Sequence, residues 1–456
     1  MFNKIILTSL FVTCTFTQLI FAAPKQPNIV IIFLDDSGYG DFKPFGNPDY
    51  PTPNVEQLAE EGTSFTQFYV PQAICSASRS ALMSGCYPAR TKVFGAHRPN
   101  GRGLETKFAT LPEQLKKAGY NTAHFGKWHI GDQEDTRPTA RGFDEHAGIM
   151  YSNDMWKHHP GNPELWGKYP LKFWENGKVK VEDVDHVHQE NFTKDLTNYA
   201  VDFIQRQKDK PFFLYLAHPQ PHVPLYVSKD FKGKSGKGLY ADVIMEIDWS
   251  VGQVNQALKD KGLDKNTIFI FSSDNGPWIS YGDHAGKTPF REAKSTSFDG
   301  GMRVACVVKY PNVLKANYRS KRMFFSIDFL PTLAHWAQAP LPLNTIDGLN
   351  VANWITGKSN HNPHAFYGFS IGKQAQGVIS GDGKWKLHIP HKYRTLEAPG
   401  KDGLPGPYKN VQQPLALYDM ENDPMESKDV KNQYPEILDK LQGYAQQHET
   451  LLKSKL

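Results

Sequence analysis

Cys75 and Arg79 stand one helical turn apart in Cys75-Ser76-Ala77-Ser78-Arg79, a spacing that lets both face the same point. A helix opening at Cys75 presents free N–H groups, which favour an anion beside the thiol. Asp35-Asp36 and Asp274-Asn275 supply oxygen ligands from two separate segments. Hard oxygen donors without paired cysteine or histidine select Ca²⁺ or Mg²⁺ over zinc. An Asp pair alone often just ends a strand in solvent; the second cluster, after a second apolar run, makes metal binding the better reading. Lys127 and His129, in Gly126-Lys127-Trp128-His129, alternate along an extended chain and face one side, with Trp128 on the other. The lysine suits an oxyanion as a point charge, and the histidine suits proton transfer near neutrality.

These groups matter together only if the fold converges them. Four apolar, β-rich runs precede them: Asn28 to Leu34, Asn121 to Gly126, Phe212 to Ala217 and Thr267 to Phe271. Their apolarity is continuous rather than alternating, as expected for strands covered on both faces of a parallel sheet. Helical segments alternate with them: Val55 to Glu61 capped by Asn54, a capping box at Thr110-Leu111-Pro112-Glu113 opening a helix to Gly119, Asn191 to Gln205, and Tyr240 to Lys261. The pattern predicts a doubly wound α/β domain, whose chemistry collects beyond the carboxyl ends of the strands. Beyond about residue 360, short strands and Gly/Pro/Asp turns take over, and Tyr434 to Leu452 reads as a closing amphipathic helix. A smaller C-terminal α+β unit is expected there, an antiparallel sheet plus helix.

The 456-residue chain has room for both. Its net charge of +5 is spread without a basic stripe, so nucleic acid is not the expected partner. Residues 1–23 read as an export signal: Lys4, an apolar stretch from Ile5 to Phe21, then Ala22-Ala23. That predicts a periplasmic or secreted protein without stable membrane association. Cys14 lies inside the signal, which leaves Cys75, Cys86 and Cys306; the last two are either a pair or two free thiols.

The run from Cys75 to Arg79, followed by Leu82, Gly85 and Tyr87-Pro88-Ala89-Arg90, resembles the signature of the formylglycine-dependent type I sulfatases. Gly126-Lys127-Trp128-His129-Ile130-Gly131, Pro221-His222-Val223-Pro224, and Lys294 before Phe298-Asp299-Gly300-Gly301-Met302-Arg303 extend the likeness, most of it within residues 27 to 335. The resemblance implies an alkaline-phosphatase-like, doubly wound mixed sheet core over 24–360 and a subdomain over 361–456. It implies oxidation of Cys75 to formylglycine (3-oxoalanine) by a formylglycine-generating enzyme or anaerobic maturase. Asp35, Asp36, Asp274, Asn275 and the converted Cys75 would bind a divalent cation, normally Ca²⁺, with Mg²⁺ possible. Arg79 would hold the formylglycine hydrate and Lys127 the sulfate. His129 would take a proton from the sulfated hydrate, and His222 with Lys294 would protonate the leaving oxygen. His218 is the neighbouring alternative to His222. Ala77 departs from the proline of many members and bears on the maturation route.

The expected reaction is hydrolysis of a sulfate ester on a carbohydrate, such as an algal polysaccharide of carrageenan type. Trp156, His158, His159, Trp278, Tyr281, His284 and Arg291 are the expected cleft wall, stacking on sugars or meeting further sulfates. Two alternatives stand beside it: a phosphate or phosphonate ester hydrolase of the same architecture, and an inactive sulfoglycan-binding protein.

Overall fold

A computed structural model describes residues 25–454. The expected export signal over 1–23 lies outside the described residues. Among them, eleven strands form one sheet. In chain order these are β1 (Asn28–Leu34), β2 (Thr63–Tyr69), β3 (Asn121–Lys127), β4 (Glu145–Ile149), β5 (Phe173–Glu175), β6 (Lys178–Val181), β7 (Phe212–Ala217), β8 (Thr267–Ser273), β9 (Arg303–Lys309), β10 (Tyr318–Ser320) and β11 (Phe324–Phe325). The centre runs β8-β1-β7-β3-β4, all parallel. β9 pairs antiparallel with β8, and β5 antiparallel with β4, so the sheet is mixed.

Every residue of β1, β7 and β8 is buried, which is why those segments read as unbroken apolar runs. Helices cover both faces. His186–Arg206, Leu239–Asp260 and Pro53–Glu61 form one packed group. Cys75–Ser84, Leu111–Lys117 and Phe329–Trp336 form the other, and β3 touches both groups. The helix expected from Asn191 begins earlier because Asp185 caps it, accepting the His188 N–H. The capping box at Thr110 and Glu113 forms, and that helix ends at Lys117. Asn54 is no cap. Thr52 holds that position, and Asn54 donates its side chain to Asp248 Oδ2 at 2.7 Å.

Strands β12 (Phe366–Ile371), β13 (Gln374–Ser380), β14 (Trp385–His388) and β17 (Ala416–Asp419) make a separate antiparallel sheet. Between them, β15 (His391–Leu396) and β16 (Tyr408–Gln413) form a hairpin, and helix Pro435–Lys453 packs on β13. Cys86 and Cys306 are separate buried thiols, not a pair.

Candidate active site

The parallel alignment of β1, β3, β7 and β8 brings four chain segments to one edge of the sheet. Asp35 and Asp36 follow β1, and Asp274 and Asn275 follow β8, its direct neighbour. Lys127 ends β3, and His222 lies in the loop after β7. Helix Cys75–Ser84 begins at this edge, entered through extended Ile74 and closed by Gly85 in the left-handed region at φ 66°. Gly85 ends the helix there at little cost because it has no Cβ to clash.

Ligand atoms of Asp35, Asp36, Cys75 and His222 all lie within 4.8 Å of one another, and all four residues are buried. Around them the charges interlock. Lys127 Nζ contacts Asp35 Oδ2, and Lys294 Nζ lies 2.6 Å from Asp36 Oδ2. Arg79 donates Nε to Asp274 Oδ2 at 2.9 Å and Nη1 to the Lys127 carbonyl at 3.0 Å. Asn275 Nδ2 donates to Asp36 Oδ1 at 2.7 Å. Three carboxylates thus face three cations in a site closed to water.

Burial and these partners set the protonation states. Burial alone would raise Asp35, but Lys127, His222 and Arg79 hold it well below the usual carboxylate range. Asp274 goes the other way, up to about 7, because burial and the Asp35 charge outweigh Arg79. Burial would also lower Lys294, yet Asp36 keeps it protonated, its pKa raised. The Cys75 thiol is pushed well up by burial and then by Asp35. An unmodified thiol here stays protonated and is a poor nucleophile.

His129 takes a left-handed backbone at φ 61°, as Asp36 does at 64°, and such strain clusters where geometry serves function. Its Nε2 lies 3.0 Å from the His97 carbonyl oxygen. A carbonyl only accepts, so the proton sits on Nε2, and Nδ1, buried without a partner, holds the lone pair. Burial and Lys127 keep the ring neutral, its pKa well below the ordinary value. His97 is held in turn by its N–H to Ser76 Oγ at 2.8 Å. His222 donates Nδ1–H to its neighbour's carbonyl (Val223 O, 2.5 Å) and points Nε2 at Asp36 Oδ2, 3.5 Å away.

Two buried side-chain oxygens in this cluster, Asp35 Oδ1 and Asn275 Oδ1, have no hydrogen-bond partner. Orphaned acceptors beside a ring of carboxylates fit a hard divalent cation. Asp35, Asp36 and residue 75, with His222, lie within reach of one ion, and Asp274 and Asn275, both bonded to Asp36, would complete its oxygen ligands.

The remaining expected residues divide. Trp278 belongs to the rim: its ring lies 5.4 Å from His222 and 4.2 Å from Lys294 Nζ. Tyr281 packs edge-on to Trp278 at 5.0 Å. His218 is withdrawn from the site, fully buried, with Nε2 2.9 Å from Ser250 Oγ on helix Leu239–Asp260. Trp156 is no wall residue. It is 1% exposed and packed among His158, His186 and Tyr226. Arg291 turns inward, with Nη1 2.8 Å from the Glu426 carbonyl and its guanidinium over Phe298. His284 sits half-buried beside Gly403 of the loop between β15 and β16. Ser152, whose Oγ accepts from Lys127 Nζ at 3.2 Å, and the His97 carbonyl were not legible beforehand. Neither belongs to a motif, and only the strand ends bring them in.

Comparison with known proteins gives the family and the fold. The family model described as Sulfatase matches residues 27–339. Arylsulfatase A of Bos taurus is 32% identical over 446 residues, covering 91% of this chain and 85% of that protein. N-acetylgalactosamine-6-O-sulfatase of Bacteroides thetaiotaomicron is 30% identical over 480 residues, covering 91% and 92%. The solved structure of Ps i-CgsB in complex with k-i-k-neocarrahexaose superposes with a TM-score of 0.78 at 28% identity, covering 94% of each chain. The core is thus the alkaline-phosphatase-like fold of these enzymes. With more than half its length inside the family model, and relatives matched nearly end to end, the chain belongs to the formylglycine-dependent sulfatases, hydrolases of sulfuric esters.

Proposed function

We propose that this enzyme is exported and releases inorganic sulfate from a sulfated carbohydrate, an algal polysaccharide or oligosaccharide of carrageenan type. The reading assigns it a divalent cation, Ca²⁺ or alternatively Mg²⁺, and residue 75 oxidised to formylglycine by a dedicated maturation enzyme. The observation that carries it is the closed ring of Arg79, Lys127 and Lys294 around Asp35, Asp36, Asp274 and Cys75. Three cations balance three carboxylates, so a bound dication leaves the centre net positive, matched to an anionic ester. A structural neighbour solved with k-i-k-neocarrahexaose and a relative named for N-acetylgalactosamine support a sulfated carbohydrate as substrate.

When present, the cation would supply positive charge to the ester's oxygens and the formylglycine would supply the nucleophile. The chain's own residues do the rest. Lys127, fixed by Ser152 and Asp35, offers its ammonium to a non-bridging sulfate oxygen. Lys294, held over the Trp278 ring, and His222 Nε2 stand where a departing sugar oxygen needs a proton. His129 Nδ1 is the free base of the site, its ring locked through Nε2 by the His97 carbonyl. Arg79 anchors Asp274 and faces residue 75 from the next turn of the helix.

The test has two arms. Sulfate released from a panel of sulfated oligosaccharides, read by ion chromatography, should be greatest on carrageenan fragments. Peptide mass spectrometry of active enzyme should find residue 75 as the aldehyde. Activity from a preparation carrying only the thiol would overturn the formylglycine assignment.

A further inference from the structure

A cavity of about 460 Å³ opens beside the reaction centre, lined by Tyr151, Arg137, Lys168, Tyr169 and Trp174 among others. It shares a wall with the catalytic residues. Met150 accepts the His129 backbone N–H at 2.9 Å, and Ser152 holds Lys127. Tyr151, between those two, lines the cavity.

An aromatic ledge borders the cavity. His159 begins it, with Nε2 3.6 Å from Asp154 Oδ2. Its ring stacks on Trp166 at 5.8 Å and 18°, and Trp166 meets Tyr169 at 6.5 Å. Arg98 lies 5.6 Å over the Trp166 ring. The ledge therefore leads through Trp166 to Tyr169 on the cavity wall.

Inside, the charges are uncommitted. Arg137 sits 4.4 Å over Trp174 and donates Nε to the Asp132 carbonyl at 2.8 Å. Neither Arg137 nor Lys168 forms an ion pair among the described residues. Asp132 also lines the cavity, its carboxylate accepting from the Asn100 N–H at 2.6 Å and from Gln133 Nε2 at 2.9 Å, so two unpaired cations face one carboxylate and the balance stays positive. A free inorganic anion has no use for the aromatic faces, and a neutral sugar has none for two idle cations. A sugar bearing a sulfate uses both.

We propose that this cavity is a distal subsite that takes a second sulfated sugar of the same substrate chain. The assignment rests on the sulfated-carbohydrate reading above and extends it, because it makes the enzyme a reader of oligosaccharides rather than of single sugars. The experiment measures sulfate release from carrageenan fragments of increasing length, together with calorimetric binding of a carrageenan hexasaccharide. Wild-type kcat/KM should rise about tenfold or more from the shortest fragment to the hexasaccharide, the value of one charge-assisted contact. Lys168→Glu, at an exposed position, and Arg137→Ala should erase that rise through KM, leaving kcat and turnover of the shortest fragment unchanged. A hexasaccharide that binds wild type and Lys168→Glu equally overturns the subsite, whether or not sulfate is released. Absence of sulfate release from every fragment, with binding still lost in the variant, overturns the substrate reading instead.

Discussion

Arg79 donates Nε to Asp274 Oδ2 at 2.9 Å, with Nη2 at the same distance, tying the second turn of a helix to a strand end 195 residues later. Asp274 Oδ1 accepts the Asp36 N–H at 3.2 Å, so one carboxylate joins both acidic clusters. Arg79 is 1% exposed, and water cannot replace it.

Replacing Arg79 therefore strands Asp274 as a buried carboxylate and leaves Asp35 with Lys127 as its direct cation. Arg79→Gln should cost about 3–5 kcal/mol of stability, the usual penalty for removing one partner of a buried pair. Activity should fall by two or more orders of magnitude. Arg79→Lys should recover part of the stability but little activity, since a point-like ammonium does not span the two acceptors that Arg79's planar fork reaches from Nε and Nη1. Denaturant unfolding and sulfate release check both; a Gln variant with wild-type stability would show that Asp274 is satisfied elsewhere.

The orphaned oxygens of Asp35 and Asn275 lead to a prediction that does not depend on turnover. A ligand that binds only the folded state at a hundred times its Kd adds about 2.7 kcal/mol. Chelated enzyme should gain a few degrees of Tm on addition of Ca²⁺. Asp36→Asn should abolish that gain. The same titration with Mg²⁺ ranks the two ions, and a Tm indifferent to both would remove the cation from the site.

The C-terminal subdomain is keyed to the catalytic segment by a second buried network. Lys386 Nζ reaches Asp299 Oδ1 at 2.8 Å and Glu426 Oε1 at 3.0 Å, and Glu426 Oε2 accepts the Asp299 N–H at 2.8 Å. Asp299 lies five residues after Lys294, and Tyr69 and Arg303 close its other oxygen. Lys386→Met leaves two carboxylates facing each other and should destabilise by about 3–5 kcal/mol. Lys386→Met with Glu426→Gln should recover part of that loss, because one stranded charge is removed. If the double variant is no more stable than the single, the two residues do not act as a pair.

How much of this was legible is clearest at the strands. β1, β7 and β8 are wholly buried, and burial on both faces writes itself as an unbroken apolar run. β2 and β9 escaped notice. Thr63–Tyr69 mixes polar and aromatic residues, and Arg303–Lys309 follows directly on a glycine turn that read as motif rather than strand. The polar residues at strand ends announce a rim, because such residues there need partners. They do not say which of two neighbouring histidines faces inward: His218 and His222 differ only in what the loop after β7 does, and Ser250, far along the chain, claims the first. Trp156 and Arg291 misled for a related reason. Aromatic and basic types suit both a sugar cleft and an interior, and tertiary packing chose the interior.

Four buried histidines give the stability a pH dependence of definite sign. Burial lowers His146 and His218 to about 3, and His391 and His448 to about 4. In the unfolded chain each takes a proton near pH 6.5, while the fold resists it until pH 3 to 4. Between those values the unfolded state binds more protons, so stability is complete above about 6.5 and falls as the pH drops. Each group accounts for on the order of 3–5 kcal/mol across that full window, and for less down to pH 4.5. Glu426, held down to about 2 by Lys386 and His388 despite its burial, begins to lose its contribution only below about pH 4.5. Asp274, raised by burial to about 7, and Asp41, raised to about 6, work the other way over the same range and offset part of the loss, because the folded state binds their protons first. With four histidines against these two carboxylates, the first loss of stability on acidification is histidine-driven. Denaturation midpoints from pH 7.5 to 4.5 should fall steadily, and His448→Gln tests the cause. That ring lies over Gly368 and 5.3 Å from Tyr87, with Nε2 unpartnered. The variant should be less stable at pH 7.5 but lose less on going to 4.5. An unchanged slope would place the acid sensitivity elsewhere.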